Sequence, residues 1–230
     1  MAPSRPATRE LLRRVSIFAH LGEAELEGLE RLLETREAAA EAVVVGQEER
    51  GDALFVLVRG RVKVVLYGES GREIILRVFG RPGDFFGEMS LLDGQPRSAS
   101  IVAAEPSSLL VLSREAFREH LRRSSGTALA VMAELSRRLR EADAVIGSLA
   151  LLDVYGRLAR KLRDLARAEG EPSPDGVVIR RLPTQQEIAG LIGTSRETVS
   201  RALGELSRRG LVRHAGRRLT LHRELLAEDE

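Results

Sequence analysis

A chain of 230 residues, 43% hydrophobic and with a net charge of +2, is long enough to bury more than one core, so two domains are the starting expectation. The absence of cysteine excludes disulfides, thiolate zinc sites, iron–sulfur clusters held by cysteine and a catalytic thiol; the four histidines, His20, His120, His214 and His222, show no ligand-like clustering, so neither metal nor haem is expected. Residues Met1 to Thr8 lack a signal-peptide apolar run and no segment is long enough to span a membrane, which predicts a cytoplasmic protein without a membrane partner.

From Arg9 to Glu34 the apolar residues fall at helical spacing, Leu11, Leu12 and Val15, then Leu26, Leu29 and Leu32, with a turn at Phe18–Gly22. From Ala42 to about Leu112 the texture changes to short β-rich runs. These are Val43–Val45, Leu54–Val58, Arg61–Leu66, Ile74–Val78 and Leu109–Leu112, separated by glycines that include Gly46, Gly51, Gly60, Gly68, Gly71 and Gly80. Short strands with turn glycines predict a small antiparallel roll or sandwich. Ser113 is placed to cap a helix over Arg114 to Arg123, and Ser124–Gly126 separates that helix from a longer one.

Between Ala128 and Leu149 one long helix is predicted. Ala128, Met132, Leu135, Leu139, Ala142, Ile146 and Leu149 alternate four and three apart, the spacing of a coiled-coil seam, so Met132 to Leu149 on this stripe are the expected dimer interface. With Met132 at heptad position a, Arg138 falls at g and Asp143 at e, which predicts a parallel homodimer joined by an Arg138–Asp143 pair. Asp153 interrupts the stripe and marks a hinge. The expected domains are residues 1–126, a strand-rich sensor; 127–152, the long helix and hinge; and 153–230.

After the hinge, Leu158, Leu162 and Leu165 give a second amphipathic helix, and residues 170–176 carry every loop signal. Val177–Ile179 is a short strand candidate. Thr184-Gln-Gln-Glu187 is a capping box opening a helix to Ile192, Gly193 turns the chain, and Thr194-Ser195 opens another helix ending near Gly210. Leu211–Arg213 and Arg218–Leu221 read as a hairpin around Gly216. Helix, turn, helix and hairpin make a winged helix-turn-helix, so the fold class expected is α+β. Residues 177–223 hold ten arginines against three glutamates, a net +7 that leaves −5 for the rest. Such a block points to nucleic acid, with a solvated basic face as the alternative.

Two constellations carry the functional reading. In the first, Phe86-Gly87-Glu88 to Arg97-Ser98-Ala99, Gly87 permits close backbone approach, Arg97 offers a fork of donors for phosphate, Ser98 adds a hydroxyl and Glu88 accepts from a sugar hydroxyl; a loop salt bridge between Glu88 and Arg97 is the alternative. In the second, Gln185 to Leu203, Val199, Leu203 and Leu206 face inward against Ile188 and Ile192, leaving Arg196, Glu197, Ser200 and Arg201 outward at the N-terminal end of the helix. Arginine reads guanine O6 and N7, and glutamate accepts from cytosine N4. The alternatives are a capping box between Thr194 and Glu197 and a solvated arginine face.

The first stretch resembles the phosphate-binding cassette of cyclic-nucleotide-binding domains, with Gly51-Asp52 and Leu54–Gly60 resembling the roll strand and turn upstream. Ser195-Arg-Glu-Thr-Val-Ser-Arg201 is close to the recognition-helix motif of the CRP/FNR family of transcription regulators, and the resemblance spans essentially the whole chain. It implies an N-terminal β-roll, a long dimerisation helix and a C-terminal winged helix-turn-helix. It also implies that Glu88 holds a ribose 2′-hydroxyl, that Arg97 and Ser98 hold the cyclic phosphate and that backbone near Gly87 holds the rest. DNA contacts would come from Arg196, Glu197, Ser200 and Arg201, with Arg217 and Arg218 in the wing. The implied partners are a palindromic double-stranded operator, a second copy of the chain and RNA polymerase.

One departure bears on the effector. Where cyclic-AMP-responsive members carry a Thr-Ser pair that reaches adenine, this chain has Ala142-Asp143. Ala142 can only pack, whereas Asp143 accepts from amines, and guanine N1–H and N2–H₂ suit it at least as well as the adenine amine. Cyclic AMP is the first expectation and cyclic GMP the second, with no metal, haem or iron–sulfur cofactor and no catalytic residue. Two other readings are a family member with a vestigial cassette that binds DNA without nucleotide, and a nucleotide-binding regulatory subunit that does not act on DNA.

Overall fold

The computed structural model describes residues 5–68 and 73–227; the turn glycine Gly71 lies outside them. The chain divides into two compact units between Arg140 and Glu141. In the first, helices α1 (Arg5–Arg14) and α2 (Glu23–Glu30) lead into strands β1 (Leu33–Ala38), β2 (Val43–Val45), β3 (Ala53–Arg59), β4 (Val62–Tyr67), β5 (Glu73–Phe79) and β6 (Phe85–Phe86). Helix α3 (Glu88–Asp93), strands β7 (Ser100–Ala103) and β8 (Ser107–Ser113) and helix α4 (Arg114–Arg123) come next. Helix α5 (Ser125–Leu151) then crosses the division between the units.

Two antiparallel sheets, ordered β1-β8-β3-β6 and β2-β7-β4-β5, form the roll. The run Leu54-Phe-Val-Leu is apolar throughout because β3 is covered on both faces. Leu54 and Val56 pack outward with Leu12, Phe18, Phe117 and Val131, whereas Phe55 and Leu57 point into the roll with Val62 and Leu109. Inside the roll Phe86 stacks on Phe55 at 5.3 Å and on Phe79 at 5.7 Å. These offset pairs anchor β6 directly before the cassette.

The first helical region is shorter than expected, ending at Glu30. Residues Leu33–Ala38 are instead an edge strand whose only buried residue is Ala38. With Glu34, Thr35, Arg36 and Glu37 all exposed, no alternation marks it, and its pairing with β8, Leu33 opposite Leu112 through Ala38 opposite Ser107, is what makes it a strand. Strands β6 and β7 and helix α3 also go beyond the expected elements. Ser113 caps α4 as expected, its hydroxyl accepting the Ala116 amide at 3.2 Å.

On α5, Val131 is buried in the first unit's core and Leu135 packs against the same core, so Leu135 is drawn toward its own roll. Met132, Leu139, Ile146 and Leu149 are exposed, Leu139 and Ile146 by 63% each, and Ala142 is exposed beside them. Asp153 accepts the Gly156 amide at 2.8 Å, so the break in the stripe is the N-cap of α6 (Val154–Glu169).

The second unit continues with β9 (Glu171–Ser173), β10 (Gly176–Ile179), α7 (Gln185–Ile192), α8 (Arg196–Arg208), β11 (Val212–Ala215), β12 (Arg218–His222) and α9 (Arg223–Ala227). Its sheet runs β11-β12-β10-β9. The stretch expected to be all loop contains β9, whose Pro172 is tolerated because the strand sits at the sheet's edge. Leu158, Leu162, Ile188, Ile192, Val199, Leu203, Leu206, Leu219 and Leu221 form one core. The architecture is thus α+β, an antiparallel roll, a long helix and a winged helix-turn-helix. Among the described residues no helix is long and apolar enough to cross a membrane.

Candidate ligand cassette and nucleic-acid interface

The cassette is built where β6 ends. Gly87, in the left-handed region at φ 92°, is the N-cap of α3, and a Cβ there would stand 2.7 Å from Arg97 Nη1 and 3.0 Å from the Ala53 carbonyl. A side chain is therefore excluded both by backbone strain and by space. Arg97 is only 4% exposed; it donates from Nη1 to the Gly87 carbonyl at 2.6 Å and from Nη2 to the Ala53 carbonyl at 2.8 Å, with Asp52 at 3.7 Å. Its backbone is clamped by the preceding loop, the Glu48 amide donating to Arg97 O and the Arg97 amide to Glu49 O. Burial pushes the guanidinium below its ordinary pKa, and Asp52 and Glu88 act against that shift. Ser98, next to it, is exposed.

Glu88, at the start of α3, is 1% exposed, and its partner is not Arg97. Arg138 of α5 donates from Nη1 to Glu88 Oε1 at 2.8 Å, from Nη2 to the Phe85 carbonyl at 2.9 Å and from Nε to Glu134 Oε1 at 2.7 Å. Its guanidinium also lies 4.7 Å from the Phe85 ring centroid and 5.5 Å from that of Phe79. Arg138, expected to pair with Asp143 of a second protomer, is thus engaged within its own chain. A carboxylate as buried as Glu88 requires a cation, and Arg138, on the helix face turned to the roll, is that cation. Burial works to raise the Glu134 carboxyl, but hydrogen bonds from Arg137 and Arg138 outweigh it and hold its pKa down to about 2. Asp143 lies beyond the unit boundary and is exposed.

Among the described residues, Glu88 Oε2 and Arg97 Nε are buried and have no hydrogen-bond partner. One can only accept and the other can only donate, so a ligand bearing both a hydroxyl and an anionic oxygen suits the pair. A ribose cyclic phosphate has that donor and acceptor set, and the residues present fit it. Among the described residues no group of three His, Asp or Glu side chains is arranged to hold a metal.

In the second unit, Ser195 caps α8 by accepting the Thr198 amide at 3.2 Å, so the alternative capping box between Thr194 and Glu197 does not form. Glu197 is exposed; its pKa is lowered first by a hydrogen bond from its own backbone N–H and then by the Ser195 hydroxyl. Arg196, Glu197, Ser200 and Arg201 line an open recess of about 430 Å³ together with Gln185 from the start of α7. Gln185 is the member that helical spacing within α8 alone does not reveal. Arg201 donates to the Thr198 hydroxyl at 3.3 Å, which steadies its stem without burying its charge. Arg217 and Arg218 flank the tip between β11 and β12, both exposed.

The structure also brings together two histidines that are far apart in sequence. Buried Thr127, near the start of α5, has its hydroxyl 2.9 Å from His120 Nε2 and 3.4 Å from His20 Nε2. Burial lowers the pKa of His120, with Glu25 opposing and His20 reinforcing the shift.

Comparison with known proteins agrees with this geometry. Residues 35–124 match a cyclic nucleotide-binding domain and residues 156–228 a Crp-like helix-turn-helix domain. The CRP-like cAMP-activated global transcriptional regulator of Mycobacterium tuberculosis (strain ATCC 25618 / H37Rv) is 32% identical over 208 residues, covering 90% of this chain and 92% of the relative. The cAMP-activated global transcriptional regulator CRP of Escherichia coli O157:H7 is 34% identical over 185 residues, 80% and 87% of the two chains. Among solved structures, the Thermus thermophilus catabolite activator protein is 34% identical with a TM-score of 0.54, covering 93% of this chain and 97% of that one. The c-di-GMP-responsive regulator CLP of Xanthomonas campestris is 28% identical with a TM-score of 0.72, covering 84% and 95%. A roll with this cassette, a long helix after it and a basic winged helix-turn-helix at the end place the chain in the CRP/FNR family of transcription regulators.

Proposed function

We propose that this regulator is a homodimer whose binding to a palindromic DNA operator is controlled by a cyclic nucleotide, with cyclic AMP the first candidate. The observation that carries the reading is the unpartnered pair in the cassette, Glu88 Oε2 and Arg97 Nε, an acceptor and a donor both buried. Gly87, Glu88, Arg97 and Ser98 would hold ribose and phosphate, and Asp143 would face the base. The cyclic-AMP activation named for the M. tuberculosis and E. coli relatives supports the choice of effector. The exposed Met132, Leu139, Ala142, Ile146 and Leu149 stripe on α5 supports the dimer, because a seam of that kind is unfavourable in water. Ligand bound better by one arrangement of the two protomers than by another shifts the population toward the state whose recognition helices match the operator. RNA polymerase is the downstream partner and the cytoplasm the compartment in this reading, and the chain itself catalyses no reaction.

A second reading is favoured by a specific contact. The Arg97 fork is already bonded to the Gly87 and Ala53 carbonyls, as it would be in a cassette that no longer takes a ligand. Calorimetric titration with cyclic AMP, cyclic GMP and cyclic di-GMP, together with operator binding with and without each, decides between them. Saturable binding of one nucleotide that raises operator affinity supports control by that nucleotide. Equal operator affinity throughout, with no heat of binding, establishes the ligand-independent reading.

A further inference from the structure

Strand β3 begins opposite the end of β8, Ala53 facing Ser113, and the pairing runs one residue further where the Arg114 amide donates to the Asp52 carbonyl at 2.7 Å. Arg114 is thereby fixed at the first position of α4, beside the loop that leads into β3. Its guanidinium bonds two segments at once. Nε donates to the Gly51 carbonyl at 2.8 Å and Nη2 to the same oxygen, while Nη2 also reaches the Ser90 carbonyl of α3 at 3.1 Å. The two segments meet at Gly51, where a Cβ would stand 2.3 Å from Ser90 Cβ and 3.3 Å from Arg97 Cζ. Glycine is what lets the loop close on α3 and on Arg97 together.

From this junction we infer that Arg114 is a positioning residue of the cassette, holding the helix that carries Glu88 in place against the loop that anchors Arg97. It lies a short stretch of chain from each. Glu88 stands two residues before Ser90 on α3, and Ala53, whose carbonyl takes Arg97 Nη2 at 2.8 Å, stands two residues after Gly51. Between them, Asp52 lies 3.7 Å from the Arg97 guanidinium. Arg138 fastens Glu88 to α5, and Arg118 donates to the Leu92 carbonyl at 3.3 Å, but neither of these contacts ties α3 to the loop. A guanidinium suits this task because its donors leave in fixed directions, so it sets the separation of two carbonyls, which an ammonium on a flexible stem does not. That separation governs how the buried acceptor Glu88 Oε2 stands to the buried donor Arg97 Nε. The consequence for ligand rests on the cyclic-nucleotide reading: Arg114 acts through Glu88 and Arg97 and controls whether a 2′-hydroxyl and a phosphate are met at the same time.

The test compares the full native chain with Arg114→Gln, which shortens the side chain and removes the fork, and with Arg114→Lys, which keeps the charge without the fork. Amide hydrogen exchange is measured first, with no nucleotide present. The amides of Glu48 and Arg97, which bond between the loop and Arg97, and of Gly94, which bonds to the Ser90 carbonyl, should exchange about fivefold faster or more in Arg114→Gln, with Arg114→Lys in between. Amides of the β4–β7 ladder should keep their rates. Unchanged exchange at the three amides, or equal acceleration in the ladder, would overturn the positioning role. Cyclic AMP and its 2′-deoxy analogue are then titrated by calorimetry. Both carry the same charge, so the charge lost with Arg114 cancels in the ratio of their affinities. Preference for cyclic AMP should fall about threefold or more in Arg114→Gln, as the contact from Glu88 is loosened. An unchanged preference, with both nucleotides bound more weakly, would make Arg114 a charge near the phosphate and sink the inference. A native chain that binds neither nucleotide refutes cyclic-nucleotide control, and hydrogen exchange then decides the role of Arg114 by itself.

Discussion

Arg138 of the long helix and Glu88 of the cassette form one ion pair at 2.8 Å, with side-chain exposures of 16% and 2%. The same guanidinium holds the Phe85 carbonyl immediately before the cassette, so one side chain of α5 bonds both β6 and α3, beside the apolar packing of Val131 and Leu135. In the first unit the cassette and the helix are not independently placed elements.

The first prediction concerns that pair. Arg138→Ala leaves Glu88 buried without its cation and should cost about 3 kcal/mol of stability. A Glu88→Gln/Arg138→Gln double variant should recover part of the loss, since a neutral amide tolerates the site better than an orphaned carboxylate. Chemical denaturation of the single and double variants checks this, and strictly additive losses would show that the two side chains do not act together.

Arg97 carries two expectations, because its fork serves the fold as well as a ligand. Arg97→Ala should weaken cyclic-nucleotide binding by about 1.5–3 kcal/mol, the worth of a hydrogen bond to a charged group. It should also lower stability, because the carbonyls of Gly87 and Ala53 lose their donors. Arg97→Lys should lose affinity as well, since a point charge cannot reproduce the fork. Unchanged affinity in both variants, measured by calorimetry, removes Arg97 from the ligand site.

The strands were legible in the sequence where burial wrote a pattern, and hidden where pairing alone decided. The apolar run from Leu54 announces β3, and Ser113, Thr184 and Ser195 announce helix starts through their hydroxyls. Residues Leu33–Ala38 announce nothing, because four successive polar side chains face solvent on an edge strand. At the site, Glu88 and Arg97 were legible as types suited to sugar and phosphate. Their true partners were not, since the first arginine downstream of Glu88 is Arg97 and the one that binds it is fifty positions away. Heptad spacing does not reveal Glu88 as a partner of Arg138, because periodicity describes the helix alone and cannot register a carboxylate brought in by the roll. His20 and His120 meet for the same reason, through Thr127, where the turn between α1 and α2 packs against the α4–α5 corner.

For the seam, Leu139→Asp should dissociate the dimer by placing two charges in one layer, whereas Asp143→Ala should change association by under about 1 kcal/mol, as an exposed charge does. Arg138 is engaged by Glu88 in its own chain, so the interhelical Arg138–Asp143 pair that heptad spacing assigns would have to compete with that contact. Sedimentation and nucleotide titration on the same samples separate its roles. Loss or exchange of nucleotide preference at unchanged dimer stability would make Asp143 a base contact.

His120 sets an acid limit. Burial lowers its pKa in the folded chain, so as pH falls the unfolded chain takes up the proton first, below the ordinary histidine value of 6.5. Its contribution is therefore fully present above 6.5 and is lost as pH falls through the folded value. Thermal midpoints between pH ~8 and mildly acidic pH should drop further in the native chain than in His120→Gln; parallel declines would show that other groups set the acid sensitivity.

The last prediction concerns the operator. Arg196, Glu197, Ser200 and Arg201 lie exposed at the N-terminal end of α8, the end that a recognition helix presents to the major groove. A two-fold dimer imposes its symmetry on the DNA, so the target should be an inverted repeat resembling TGTGA-N6-TCACA, with half-sites about one helical turn apart. Arg201→Ala should cost roughly 1–3 kcal/mol per half-site and relax preference at one guanine, the discrimination a bidentate contact carries. Arg217→Ala and Arg218→Ala should instead weaken all sequences alike and flatten the salt dependence, as lost phosphate contacts do. Selection from random DNA with and without ligand measures each effect, and an Arg201→Ala protein with unaltered base preference would show that α8 does not read the operator through this residue.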